Sequence, residues 1–113
     1  MVTRRRPAAC CELLPVRPLT EAHSRRVVLA MKALADPTRL EILRFVCAQT
    51  GPVCACDVVG RFELSQPTIS HHLKTLREGG LLTGKRQGLW TFYAPAADGL
   101  RLLTGLGRVL GID

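Results

Sequence analysis

The chain has 113 residues and a formal net charge of +7 at pH 7, which leaves room for one small domain and excludes a large enzyme with a deep cleft. Its 47% hydrophobic content is that of a globular protein, and aromatics at 4% leave the core to Leu, Val, Ile and Ala, favouring helices over a β-sandwich. A domain of this size buries only about 60–70% of its unfolded surface, so a homodimer sharing one core is expected. The longest apolar run of note, Val27 to Met31, is far short of the about 20 residues of a membrane span. Arg4-Arg5-Arg6 is followed by Glu12, Arg17 and prolines instead of the apolar region of a signal peptide. A cytoplasmic chain without membrane contact is expected.

Residues 1–18 carry Arg4 to Arg6, the vicinal pair Cys10-Cys11, and Pro7, Pro15 and Pro18, and read as a flexible basic arm. The remainder, 19–113, reads as the folded domain. Thr20 is a good N-cap for a first helix with Val27, Val28, Met31 and Leu34 at helical spacing. Asp36-Pro37 starts a second helix, cap then proline, with Leu40, Leu43, Val46 and Cys47 as its apolar stripe and Gly51-Pro52 as its end. A short third helix is expected from about Ala55 to Gly60. Ser65 caps a fourth, with Pro67 in its first turn, Ile69, Leu73 and Leu76 inward, and Gly79-Gly80 as the stop. The period then changes: Leu81 to Lys85 and Leu89 to Tyr93 flank Arg86-Gln87-Gly88 as a β-hairpin. From about Ala96, residues Leu100, Leu103, Leu106 and Leu110 predict one last amphipathic helix.

Helix, turn, capped helix and basic hairpin make a winged helix-turn-helix: mainly α, with a β-hairpin wing. The second helix of such a motif enters the DNA major groove and reads base edges from its N-terminal residues. Here those residues are Ser65, Gln66, Thr68, Ser70, His71, His72 and Lys74, with no acid before Glu78. Gln pairs with adenine in bidentate fashion, and hydroxyls suit bases or phosphates. Lys85-Arg86-Gln87 is read as the hairpin tip, a positive finger for phosphates or a minor groove. Taken singly these residues describe any solvated helix face; together with the hairpin and the charge they indicate double-stranded DNA as partner.

The stretches Lys32-Ala33-Leu34-Ala35-Asp36-Pro37-Thr38-Arg39-Leu40 and Leu64-Ser65-Gln66-Pro67-Thr68-Ile69-Ser70-His71-His72-Leu73 resemble the ArsR/SmtB family of small metal-sensing repressors. Leu76-Arg77-Glu78-Gly79-Gly80-Leu81 and Gly88-Leu89-Trp90 continue the likeness, which covers about residues 20–95. The resemblance implies a dimer held by the first and last helices, operator binding by the fourth, and repression relieved by an inducer.

Five cysteines in a reducing compartment point to burial, reactivity or metal binding rather than disulfides. Thiolates select soft, thiophilic ions. Pro52-Val53-Cys54-Ala55-Cys56-Asp57 resembles the family's Cys-x-Cys-Asp sensing motif at the start of the third helix, and Cys10-Cys11 resembles the vicinal pair of some arsenic-sensing members. The arsenic pattern's further cysteine, three residues on, is Val59 here. Cys54 and Cys56 alone therefore cannot make the three-sulfur pyramid of As(III) or Sb(III), and Cys10 or Cys11 has to join them. Four thiolates would instead suit Cd(II) or Pb(II). If both Cys54 and Cys56 were helical they would point about 200° apart, so one ion could bridge them only by distorting the helix start. The bland reading makes them two small core residues. Cys47 is expected in the core, His23 on the surface, and the last helix lacks the ligands of zinc or nickel sensing, having only Asp98 and Asp113 beyond residue 95.

Two further readings have a different chemistry. A thiol-redox switch on the same DNA-binding scaffold would use the same cysteines. Cys11 to Arg17 also fits the Cys-x5-Arg phosphate loop of arsenate reductases and tyrosine phosphatases. The intervening Glu12, Leu13, Leu14, Pro15 and Val16 supply a repelling carboxylate, a missing N–H and no glycine, so an enzyme is not expected.

Overall fold

Side-chain oxygens set where three of the helices begin. In the computed structural model, which describes residues 12–112, the Thr20 hydroxyl accepts from His23 N at 3.2 Å and opens α1 (Glu21–Leu34). The Asp36 carboxylate accepts from Arg39 N at 2.9 Å and, with Pro37, opens α2 (Pro37–Ala48). The Ser65 hydroxyl accepts from Thr68 N at 3.3 Å and opens α4 (Gln66–Glu78). Each cap satisfies an N–H that the first turn leaves without a helical partner. Arg39 also closes the α1–α2 corner, its Nε donating to Ala33 O at 2.6 Å.

α4 ends as its glycines direct. Leu81 N bonds to Leu76 O and Gly80 N to Arg77 O, each at 3.0 Å, with Gly80 left-handed at φ 79°; this is a Schellman stop. Between α2 and α4 lie a two-residue strand, β1 (Val53–Cys54), and α3 (Ala55–Phe62). The strand was not expected, being too short for any periodicity. It joins β2 (Leu82–Gln87) and β3 (Trp90–Pro95) in an antiparallel sheet ordered β1-β3-β2, with Val53 opposite Tyr93 and Cys54 opposite Phe92.

Ile42 and Val46 of α2, Val58 of α3, Ile69, Leu73 and Leu76 of α4, and Leu81 are wholly or almost wholly buried and form the core. Ala30 and Ala33 bring α1 onto it. A Cβ at Gly99 would fall on the carbonyl oxygen of Gly80, so only glycine lets the helix that follows the wing sit against the end of α4.

Several expectations need correcting. The last helix is not continuous: it divides at Gly105 into α5 (Ala97–Thr104) and α6 (Leu106–Leu110), because two glycines within three residues weaken the intervening turn. α3 extends two residues past Gly60. Cys47 is exposed, as is Leu40, since the buried stripe of α2 runs through Ile42, Leu43 and Val46 instead. Val28 is likewise exposed. The hairpin turn is Gly88-Leu89, not Arg86-Gln87-Gly88, because Gln87 pairs with Trp90. Gly88 has φ 63°, as the first position of a tight primed turn requires.

Residues 12–20 hold neither helix nor strand, and Leu13, Leu14 and Val16 are exposed there. Val28, Leu29, Leu110 and Ile112 add further apolar surface that the described residues leave exposed. No helix among the described residues is long and apolar enough to cross a membrane.

Candidate nucleic-acid interface and thiol site

α3, the left-handed turn at Glu63 (φ 54°) and α4 form the helix-turn-helix. α4 buries Ile69, Leu73 and Leu76, and thereby turns Gln66, Ser70, His71 and Lys74 out to solvent. Ser65 and Thr68 are exposed too, with their hydroxyl oxygens 2.8 Å apart and Ser65 engaged as the cap. Lys74 approaches Glu78 at only 4.0 Å, and both side chains are well exposed, so the lysine remains available. His72 differs from the rest. It is half-buried, and its Nδ1 is buried without a hydrogen-bond partner among the described residues. The Asp36 carboxyl is held below its ordinary value first by the Arg39 N–H, and also by the charges of Arg39 and His72.

Lys85 and Arg86 lie in β2, opposite Phe92 and Thr91. The pleat sends neighbouring residues to opposite faces, so the two cations do not form one finger. Arg86 folds back, its Nε donating to Gly88 O at 3.1 Å. Leu89, 88% exposed, occupies the tip. A groove of about 430 Å³ lies beside Lys85, Phe92 and Pro52, with Thr83, Gln87 and Ala94 completing its described lining.

The thiols show the sharpest departure from helix arithmetic. Cys54 closes β1 and is the N-cap of α3, with extended angles (φ −74°, ψ 150°), so it lies outside the helix whose first turn holds Cys56. The two sulfurs converge to 2.6 Å with no unwinding. A reciprocal capping box fixes the bend: Cys54 Sγ accepts from Cys56 N at 3.3 Å, and Asp57 accepts from Cys54 N at 3.0 Å. Asp57 thus serves the backbone. The Cys56 thiol is pushed up, first by its hydrogen bond to Cys54, then by burial and by the neighbouring charges of Cys54 and Asp57.

Cys54 is buried and Cys56 exposed; they share a cleft of about 290 Å³ with Val59 of α3, Gln66 and Ser70 of α4, and Trp90 of the wing. Thiols, recognition helix and wing therefore border one space. The wing residues Leu89 and Trp90 were not anticipated there; their signal was two large apolar side chains left exposed at a turn. Cys10 and Cys11 lie outside the described residues. Among those residues, no group of three or more His, Cys, Asp or Glu converges.

The family of bacterial regulatory proteins named arsR matches residues 36–83. An uncharacterized helix-turn-helix transcriptional regulator of Methanocaldococcus jannaschii is 44% identical over 62 residues, 55% of this chain and 68% of its own length. The arsenic resistance transcriptional regulator ArsR1 of Pseudomonas putida is 39% identical over 83 residues, 71% of this chain and 64% of its own. The chain thus spans about two thirds of these curated relatives. Among solved structures, the homodimeric winged helix-turn-helix DNA-binding domain of a Mycobacterium bovis protein superposes with a TM-score of 0.66 at 26% identity, covering 87% of this chain and 90% of that one.

Proposed function

The chain belongs to the arsR family of bacterial regulatory proteins, and from that premise we propose that it is a cytoplasmic, homodimeric transcriptional repressor that leaves its operator on binding As(III) or Sb(III) through cysteine thiolates. The observation that carries this reading is the pairing of Cys54 and Cys56 at the N-cap of α3, in a cleft whose other walls belong to α4 and the wing.

In the dimer, two α4 helices about 34 Å apart enter successive major grooves of a pseudo-palindromic site. Gln66, Ser70 and His71 face base edges, Ser65 and Thr68 sit at the phosphate-facing start of the helix, and Lys74, Lys85 and Arg86 contact phosphates. His72, half-buried, braces α4 more than it reads DNA.

The donor set fits a thiophilic ion: two thiols already side by side, one exposed for entry, with the nearby carboxylate occupied in a cap. Such an ion supplies sulfur bonds strong enough to favour one protein conformation over another. Cys10 or Cys11 provides the third sulfur for As(III) or Sb(III); both together would suit Cd(II) or Pb(II). Loading Cys54 removes the acceptor that caps Cys56 N and so loosens the entry to α3, the helix that leads directly into α4. A near-complete switch needs about 5.5 kcal/mol of differential affinity.

Cys54→Ser and Cys56→Ser should bind operator as the parent does and lose release by arsenite. Normal release from either variant, followed by electrophoretic mobility shift, would sink the site assignment. The proximity of the two sulfurs also favours a second reading, a thiol-redox switch; peroxide-induced release reversed by thioredoxin without metal would select it.

A further inference from the structure

Arg77 ends the outward stripe of α4, following Gln66, Ser70 and Lys74 at steps of four, four and three residues. Helical side chains lean towards the N-terminus of their helix, so its guanidinium is carried back towards the proposed DNA-reading end. Its stem lies against the wing. A Cβ at Gly84 would stand 3.4 Å from Arg77 Cδ, 3.6 Å from Arg77 Nη1 and 3.3 Å from Tyr93 Cε1, so the missing side chain opens the seat in which the arginine crosses β2. Arg86 is two residues further along β2, on the same face of the strand and about 7 Å away. Its Nε is engaged by Gly88 O. The ion pairs of the described residues are made by Arg25, Arg44, Lys74 and Arg101, and neither Arg77 nor Arg86 has a carboxylate partner among those residues. Two cations therefore flank one seam, and like charges so placed repel unless an anion comes between them.

We propose that Arg77, seated on Gly84, joins Arg86 in clamping one backbone phosphate of duplex DNA at the seam between α4 and the wing. This rests on the DNA-binding reading and adds a residue to its contact set. With α4 in a major groove and the wing over the neighbouring minor groove, the strand that separates the two grooves presents its phosphates to that seam. A guanidinium meets a phosphate as a planar, two-pronged donor, and a stem already packed on Gly84 and Tyr93 loses little rotamer freedom on binding. The clamp reads no base. It fixes the spacing of helix and wing on the backbone, and with it the register at which Gln66 and Ser70 meet base edges.

The test follows binding of the full chain to a short labelled duplex of mixed sequence across a series of salt concentrations. Arg77→Ala should reduce the slope of log affinity against log salt by about 1 and weaken binding about fivefold at about 0.15 M salt. Arg77→Lys keeps the charge and should restore the slope. Gly84→Val fills the seat and should lose the same slope with every cation retained; adding Arg77→Ala to it should lose nothing further. The slope counts phosphates neutralised, so an arginine with a purely structural role would change affinity or thermal midpoint without moving it. An unchanged slope in Arg77→Ala, or a full second loss in the double variant, overturns the clamp while the parent's binding leaves the DNA reading standing. A parent chain that does not bind the duplex overturns both.

Discussion

Asp36 illustrates how one residue sets a junction and a pH response. Its carboxylate caps α2 through Arg39 N, and Asp36→Ala should lower the midpoint of urea unfolding at pH 7. Because that hydrogen bond holds its folded-state pKa below the ordinary 3.8, the ionised carboxylate stabilises the fold above that value. The contribution is lost as pH falls through the lower, folded value. Asp36→Asn keeps a cap and should flatten the acid limb of stability against pH; an unchanged limb would show that other groups set it. Caps and stops of this kind were legible because Asp-Pro, Ser-x-Pro and Gly-Gly encode local hydrogen bonding. The thiol geometry was not. Whether Cys54 begins α3 or precedes it depends on its pairing with Phe92, a contact distant in sequence. Counting it as helical separates two sulfurs that in fact meet.

At the level of elements, the turn of the helix-turn-helix is held by a non-glycine residue in left-handed conformation, Glu63 at φ 54°. Glu63→Gly relieves that strain and should raise stability, by up to about 1 kcal/mol, read as a higher midpoint in thermal unfolding. An unchanged or lower midpoint would mean that the gained backbone entropy of the unfolded chain outweighs it. The wing makes a different kind of claim. Lys85 lies on its flank and not at its tip, so Lys85→Ala should weaken binding evenly across DNA sequences and reduce the salt slope by about 1. A sequence-selective loss would place Lys85 at a base edge. The two strands of the wing were readable from their composition. Their register was not, because Gln87 and Leu89 fit a strand or a turn equally well until the pairing of Gln87 with Trp90 decides. Similarly, four leucines at helical spacing concealed the break at Gly105.

On the scale of the whole molecule, the order of helices and wing followed from the sequence because each element carries its own start and stop. The sheet joining β1 to the wing did not, and it is this sheet that draws Cys54 beside α4 and Trp90. The thiol pair and the proposed DNA-reading face of α4 are therefore neighbours across one cleft, and the proposed switch needs no long route between them. Apolar Val28, Leu29, Leu110 and Ile112, exposed among the described residues, suit the dimer that would place two α4 helices on one operator. On the proposed mechanism, thiol occupation releases DNA. Fluorescence anisotropy of a labelled operator fragment, titrated under reducing conditions with arsenite, antimonite, cadmium, lead and zinc in turn, tests it most directly. Release by arsenite and antimonite near one equivalent per site, with zinc inert, is the predicted result; anisotropy that stays high with every ion would contradict the account.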